Sequence, residues 1–378
     1  MPQWIWQQED WPHFYWDQDS IASQLASAHR AVGFINGCYQ DSPHLGQHVL
    51  DALLMNLLSS SAIENERLNA QSVRSSLARR LGISEEQPYP QSERSEGLAN
   101  MMMDMLEQPQ QDLSLERLLQ WHCWLFPSLG IFNVDLKVGS LRGDEPMQVV
   151  SGRLDKPNIH FEAPPRLGLE QRLNDFIDWF NRSRNSNELD LIIRAAIVHL
   201  WFVTLHPFED GNGRLTRTLT DLALTQMDEQ SIRLYAMSST ILERRPEYYH
   251  ILEQTQKGGL DITPWLSWFL GCLLESLQQV HTKINLSQNR ALFWQKYAQL
   301  QLRPEQVKVL NRLLEGGEGH FPEGISASQY QKIAKVSKAT ATRHLVELLE
   351  KGCLIKSTGG GRNTRYCLDY HPRDFFNA

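Results

Sequence analysis

Residues 188–227 constrain this chain more than any other stretch. Residues 188–205 carry a helical pattern, Pro207 and Gly211 break it, and a second helix restarts near residue 212 and runs to about Met227. Proline lacks an amide hydrogen and clashes with the preceding turn, so one continuous helix is ruled out. Two helices joined by a glycine-bearing loop need other helices to cover them. The rest of the chain supplies that pattern, with helices expected at 19–35, 45–82, 95–107, 114–126, 168–182, 246–257 and 263–300. Within 45–63, Val49, Leu53, Leu57 and Ile63 recur at helical spacing. Residues 83–94 are polar, hold two prolines and read as a loop. The segment 129–165 differs, being punctuated by Gly130, Gly139, Gly143, Pro146, Gly152, Pro157, Pro164 and Pro165. Short strands at 148–151 and 158–161 between these breakers make a β-hairpin flap inside a mainly α domain.

A chain of 378 residues exceeds one compact core, so two or three domains are expected. We read a helical region over 1–95, a central helical domain over 96–300 and a separate module over 301–378. In the last, helices at 305–315, 326–334 and 338–351 precede strands at 353–356 and 364–367 that flank Gly359–Gly361. Helix, turn, helix and wing in that order are a winged helix-turn-helix pattern. Charge divides along similar lines: residues 303–378 hold 12 Lys and Arg against 8 Asp and Glu, and the remainder holds 25 against 36.

Cys38, Cys123, Cys272, Cys353 and Cys367 form no paired motif, which argues against a zinc site or a disulfide framework and fits a reducing cytoplasm. The N-terminus lacks the basic and apolar regions of a signal peptide, and no run approaches a membrane span, so no membrane role is expected. Trp4, Trp6, Trp11, Phe14, Tyr15 and Trp16 crowd residues 1–18. Aromatics at that density need cover. Two readings stay open: the segment staples the N-terminus to the core, or it binds a partner.

Residues 206–217 read HPFEDGNGRLTR. A histidine at a helix end can act as a general base near neutral pH. Phe208 can turn inward and pin the loop. Gly211 and Gly213 let backbone N–H groups converge on an anion at the start of the next helix, and Asn212 adds a side-chain donor. Arg214 and Arg217, three residues apart, face the same way and suit a polyphosphate. Asp210 suits Mg2+ beside phosphates. A base, a metal ligand, an anion cradle and two arginines suffice for displacement at phosphorus, but these residues leave phosphoryl and nucleotidyl transfer both open.

The loop resembles the signature HPFx[D/E]GNGRxxR of Fic-domain proteins, with every specified position present. The resemblance implies a Fic helical bundle in which His206 deprotonates a Tyr, Thr or Ser hydroxyl that attacks the α-phosphate of ATP. Asp210 would hold Mg2+, with Mn2+ as an alternative. Asn212 and the loop backbone would hold the α-phosphate, and Arg214 and Arg217 the β and γ phosphates. Gly213, where a phosphorylating branch has lysine, implies AMP transfer. The hairpin at 142–163 would register a target protein by main-chain pairing, and Val150, Ser151 and Gly152 would border the nucleotide. Tyr248 and Tyr249 match a nucleoside-pocket pair, and Gln256 stands where relatives often carry asparagine.

Ser60, Glu64 and Asn65 match the Fic inhibitory pattern [ST]xxxE[GN]. The resemblance implies an inhibitory helix at about 55–68 whose Glu64 competes with the γ-phosphate for Arg217, and it also allows Glu64 to position a water for removing AMP. The tryptophan-rich opening is similar to the N-terminal domain of a bacterial Fic subgroup, and since Fic relatives often dimerise, the resemblance allows a homodimer. The expectation is a self-inhibited protein adenylyltransferase. A second is a transcription regulator with a nucleotide-sensing Fic domain, binding DNA through residues 326–366, with Arg343 on a recognition helix and Lys351, Lys356, Arg362 and Arg365 near phosphates.

Overall fold

The computed structural model describes residues 3–39, 45–127, 136–153, 156–227, 234–315, 321, 323–357 and 364–369. Gly130, Gly359–Gly361 and Arg362 lie outside them. The fold is mainly helical, with two small two-stranded sheets among the described residues. The chain divides into two compact units, 1–278 and 279–378, in place of the three regions expected from sequence.

The first unit contains α1 (Gln18–Tyr39), α2 (Leu45–Ile63), α3 (Ala70–Arg80), α4 (Glu93–Glu107), α5 (Leu115–Leu125), β1 (Gln148–Arg153), β2 (Lys156–Glu162), α6 (Leu169–Ser183), α7 (Leu191–Leu205), α8 (Asn212–Met227), α9 (Met237–Glu243) and α10 (Arg245–Gln256). Helix α11 (Thr263–Lys296) starts in the first unit and ends in the second. No boundary falls near residue 95 because α2 packs on α8 and α9, and α3 packs on α4. The N-terminal helices therefore share a core with the central segment.

Helices α7 and α8 form the centre of that core. Every residue from Ile192 to Leu205 is buried, as expected of a helix that is apolar on all sides. The Asp190 side chain caps α7 by accepting from the amides of Ile192 and Ile193. Helix α6 lays Leu169, Leu173, Phe176, Ile177 and Phe180 against α7. Each such side chain contributes roughly 1.5–3 kcal/mol on burial. The continuous helix expected over 45–82 is instead two helices, since the chain turns after Ile63 and restarts where the Asn69 side chain caps α3. Helix α9 was not legible because its Ser238, Ser239 and Thr240 are weak helix formers; buried Met237 and Ile241 secure it.

The hairpin forms as expected and extends further, pairing Val149 with Phe161 and Ser151 with Asn158 across an irregularity at Val149–Val150. The N-terminal aromatics pack onto their own unit. Trp4 meets Phe161 edge-on at 5.4 Å, and Trp6 Nε1 donates to the Glu162 carbonyl at 2.8 Å. Trp11 and Phe14 stand edge-on to Trp201, and Tyr15 pairs with Asp261. The segment is thus a strap beside the base of the flap.

The second unit packs α12 (Pro304–Glu315), α13 (Ala327–Ala334), α14 (Lys338–Glu350) and a β3–β4 hairpin (Leu354–Lys356, Tyr366–Leu368) around Phe293, Val309, Leu310, Tyr330, Leu345 and Leu348. Phe293 and Tyr297 belong to this core, which places its start before residue 301. Lys335 ends α13 in a left-handed conformation and Ser337 caps α14. That makes the tight turn between the two helices.

Candidate active site

The loop between α7 and α8 is built by its own side chains. His206 ends α7 with φ 48° and ψ 57°, so the chain leaves the helix axis there. Its Nδ1 lies 3.2 Å from the Val203 carbonyl, which assigns the proton to Nδ1 and leaves Nε2 as the basic nitrogen. Burial pushes the imidazole down to about 4, so it is neutral at pH 7. Gly211 has φ 83°, and a Cβ there would stand 2.8 Å from Leu125. Both conditions demand glycine.

Asn212 and Phe208 both hold the loop in shape. The Asn212 amide accepts from the Phe208 N–H at 2.9 Å and donates to the Phe208 carbonyl at 2.8 Å. It closes the loop with its oxygen and one of the two Nδ2 hydrogens. Phe208 is fully buried and stacks on His122 at 4.3 Å, and it pins the loop without lining the cleft.

Two positioning residues escaped the sequence reading. Buried Arg142 donates through Nε to the His206 carbonyl at 2.8 Å and through Nη2 to the Pro164 carbonyl at 2.5 Å. His122 accepts from the Gly139 N–H at 3.0 Å and donates to the Asp210 carbonyl at 3.2 Å. Both lie far from the loop in sequence and in no local motif. Only the glycines and prolines around 139–165 hinted at a segment folded back on the loop.

A cleft of about 690 Å³ opens above the loop. Its volume lies in the range of small-molecule sites. His206, Asp210, Gly211, Asn212 and Gly213 line one side, Val150 and Ser151 of β1 another, and Tyr248, Tyr249 and Gln256 of α10 a third. Glu64 and Asn65 also reach it, while Gly152, Phe208, Arg214, Arg217 and Ser60 do not. His160 and Glu253, which the sequence did not single out, join the flap to α10. The His160 imidazole lies 2.6 Å from Ser151 Oγ and 2.8 Å from Glu253 Oε2. Below the cleft, the Tyr248 hydroxyl donates to His199 Nε2 at 2.9 Å, and burial pushes His199 down to about 3.

Arg214 and Arg217 lie outside the cleft lining because carboxylates cover them. Helix α2 stops at Ile63, short of the expected 55–68. The Asn65 N–H donates to the Ala62 carbonyl at 3.0 Å and the Glu66 N–H to the Ser61 carbonyl at 2.9 Å. This double bond pattern is a Schellman cap, and it needs a left-handed residue. Asn65 supplies it at φ 60°, which explains why Gly or Asn suits this position. The turn aims Glu64 across to α8, where its Oε1 accepts from Arg217 Nη2 at 2.8 Å. Arg217 also donates through Nε to Ser60 Oγ and through Nη2 to the Ser60 carbonyl, both at 2.8 Å. Burial would lower the Arg217 guanidinium, but Glu64 beside it holds it above its ordinary value.

Glu64 Oε1 also sits over the amide end of α8: a Cβ on Gly213 would meet it at 2.1 Å. The carboxylate thus occupies the place of an anion at a helix N-terminus. Nη1 of Arg217 and Nε of Arg214 are buried without a hydrogen-bond acceptor. These atoms fit a polyphosphate. Among the described residues no group of three or more His, Cys, Asp or Glu could hold a metal by itself. Asp210, with a side chain 61% exposed, fits a Mg2+ that arrives with phosphates, since that ion is held through one or two carboxylates plus substrate oxygens.

This bundle, with an anion loop between its two central helices and a hairpin across the cleft, defines a class by fold and site. Residues 112–224 match the Fic/DOC family, and residues 4–83 match a domain of unknown function (DUF4172). The chain therefore carries a Fic domain. It is 28% identical over 169 residues to protein adenylyltransferase fic-1 of Caenorhabditis elegans, covering 44% of this chain and 31% of that protein. It is 26% identical over 181 residues to protein adenylyltransferase Fic of Drosophila virilis, covering 46% and 36%. The match thus spans about a third of these relatives. A solved Fic family protein from Desulfovibrio desulfuricans G20 covers 94% of this chain and 97% of its own, with TM-score 0.53 and 19% identity. A Fic domain containing signaling protein from Bacteroides thetaiotaomicron covers 69% and 95%, with TM-score 0.50 and 18% identity. These likenesses show the fold. No helix among the described residues is long and apolar enough to cross a membrane.

Proposed function

We propose that the first unit transfers AMP from ATP to a Tyr, Thr or Ser hydroxyl of a target protein or of itself, and that Glu64 holds the enzyme off at rest. The observation that carries this reading is the Glu64 carboxylate seated over the N-terminus of α8 and bonded to Arg217, beside a neutral His206. In the reaction His206 Nε2 takes the target proton, the oxygen bonds to the α-phosphorus, and the bond to pyrophosphate breaks. The α8 N-terminus, Arg214 and Arg217 hold negative charge on the phosphates. Asp210 would hold Mg2+ or Mn2+, which supplies further charge neutralisation when bound. The flap around Val149–Ser151 pairs with the target segment. With Glu64 on Arg217, ATP has no free seat for its terminal phosphate. The same carboxylate beside the cleft can aim a water for removing AMP.

The test is label transfer from α-labelled ATP to protein in a cell lysate. Glu64→Gly should label a partner or itself more strongly than the wild type. Silence from that variant with Mg2+ present would sink the reading.

A second reading has its own support. Residues 279–378 hold 15 Lys and Arg against 8 Asp and Glu, whereas residues 1–278 hold 22 against 36. The exposed residues of the first half of α14 are Lys338, Ala339, Thr342 and Arg343, with no acid among them. A basic unit led by such a helix suits the DNA major groove. A gel shift on the protein's own upstream region checks this, since Arg343→Ala should abolish a specific, salt-resistant complex. An unchanged shift excludes α14 as the reader.

A further inference from the structure

Glu66 stands just past the Asn65 turn, on the opposite side from Glu64. It is ion-paired to Arg214 of α8 and also to Arg94 in the first turn of α4. Its side chain is 15% exposed, and that of Arg214 only 6%. Three cations (Arg94, Arg214 and Arg217) therefore converge on Glu64 and Glu66 over one helix N-terminus, and Asp210 Oδ1 lies 3.5 Å from Arg214 as a third carboxylate. The buried Arg214 Nε and Arg217 Nη1 lack acceptors even with both carboxylates in place. These orphaned donors call for an anion with more oxygens than the two carboxylates present to them. The β and γ phosphates of ATP are such an anion.

The three arginines also differ in depth. The Arg217 side chain is 3% exposed, Arg214 6% and Arg94 46%. Arg94 is the outermost of the row and the one that a terminal phosphate would meet. Glu64 and Glu66 flank a single turn residue, so one displacement of the turn clears Arg217 and Arg214 together.

We propose that Glu66 is a second phosphate-mimicking carboxylate, holding Arg214 as Glu64 holds Arg217, and that Arg94 is a third cation for the γ-phosphate, released when ATP displaces Glu66. The proposal rests on the reading of the cleft as an ATP site. Its test is calorimetry on the full chain with non-cleavable α,β-methylene analogues of ATP and ADP. Binding is read directly, so no target protein is needed.

In Glu64→Gly, adding Glu66→Gln should tighten the ATP analogue about tenfold, the effect of one charge-assisted contact, and the ADP analogue less. Adding Arg94→Gln to that pair should reverse the gain for the ATP analogue and leave the ADP analogue unchanged. Unaltered binding after Glu66→Gln overturns the second block. An equal effect of Arg94→Gln on both analogues overturns its γ-phosphate role. Where Glu64→Gly binds neither analogue, the ATP-site reading falls and this proposal with it. A thermal melt of each variant identifies loss of fold, and Glu66→Ala serves as the second probe of the same contact.

Discussion

Helices α2 and α7 end alike, yet their ends are held in opposite ways. Each closes on a left-handed residue, Asn65 or His206, and each delivers a side chain to the start of α8. The His206 end is locked from behind by buried groups, with Arg142 on its carbonyl, Asn212 across the loop and Phe208 on His122. The Asn65 end rests on buried Arg217 and Arg214 through Glu64 and Glu66, and otherwise on side chains nearer solvent. Arg245 donates to Asn65 Oδ1 at 2.8 Å, the Tyr249 hydroxyl donates to the Ile63 carbonyl at 3.3 Å, and the Glu64 side chain is 31% exposed. The His206 end is thus held rigidly for the role proposed for it, and the Glu64 end is the one that the proposed inhibition requires to move.

Four measurements test the contrast between the two ends. The largest effect is expected at the locked end, where His206→Ala should lower label transfer in the Glu64→Gly background by about 10²–10⁴. Retained transfer would remove His206 from the chemistry. At the displaceable end, Glu64→Gly should raise wild-type transfer about ten- to a hundredfold, the range for loss of one charged hydrogen bond. Smaller still is Asn65→Val: a branched residue in the left-handed region costs about 1–2 kcal/mol, so the block should loosen partially and transfer rise less than in Glu64→Gly. Asn65→Gly keeps the turn and should stay blocked, and equal activation by both variants would detach the turn from the inhibition.

The smallest and most diffuse effect concerns pH. The folded values of His206 and His199 lie near 4 and 3, below the ordinary histidine value. Between those values and the ordinary one near 6.5, the unfolded chain binds more protons, so these groups contribute stability above about pH 6.5 that is lost as pH falls toward 3–4. Melting temperature measured from pH 7 downward should fall. His199→Gln should flatten part of that slope if the variant keeps the fold.

Much of this was legible in the chain. The helices, the hairpin and the loop follow from apolar spacing and from where glycine and proline sit, because those rules act within a few residues. Asn65 was legible for the same reason, since a helix end that needs positive φ restricts the residue type. Other features were not. Nothing local to Asn212 says that its amide turns back on Phe208, and nothing local to Arg142 or His122 says which carbonyls they meet. That α2 covers α8 was not legible either, since the two lie more than 150 residues apart and chain order carries no signal of that contact.

From the sequence came most of the helices, the hairpin, the glycine-bearing loop after His206, and the pairing of Glu64 with Arg217. The tertiary structure alone decided what surrounds them. It placed Glu64 where an anion belongs, paired Glu66 with Arg94 and Arg214, and clasped the loop through Asn212. The physical reason is range. Backbone preference and capping are settled between neighbours, whereas burial and charge pairing depend on segments that meet only once the chain has folded.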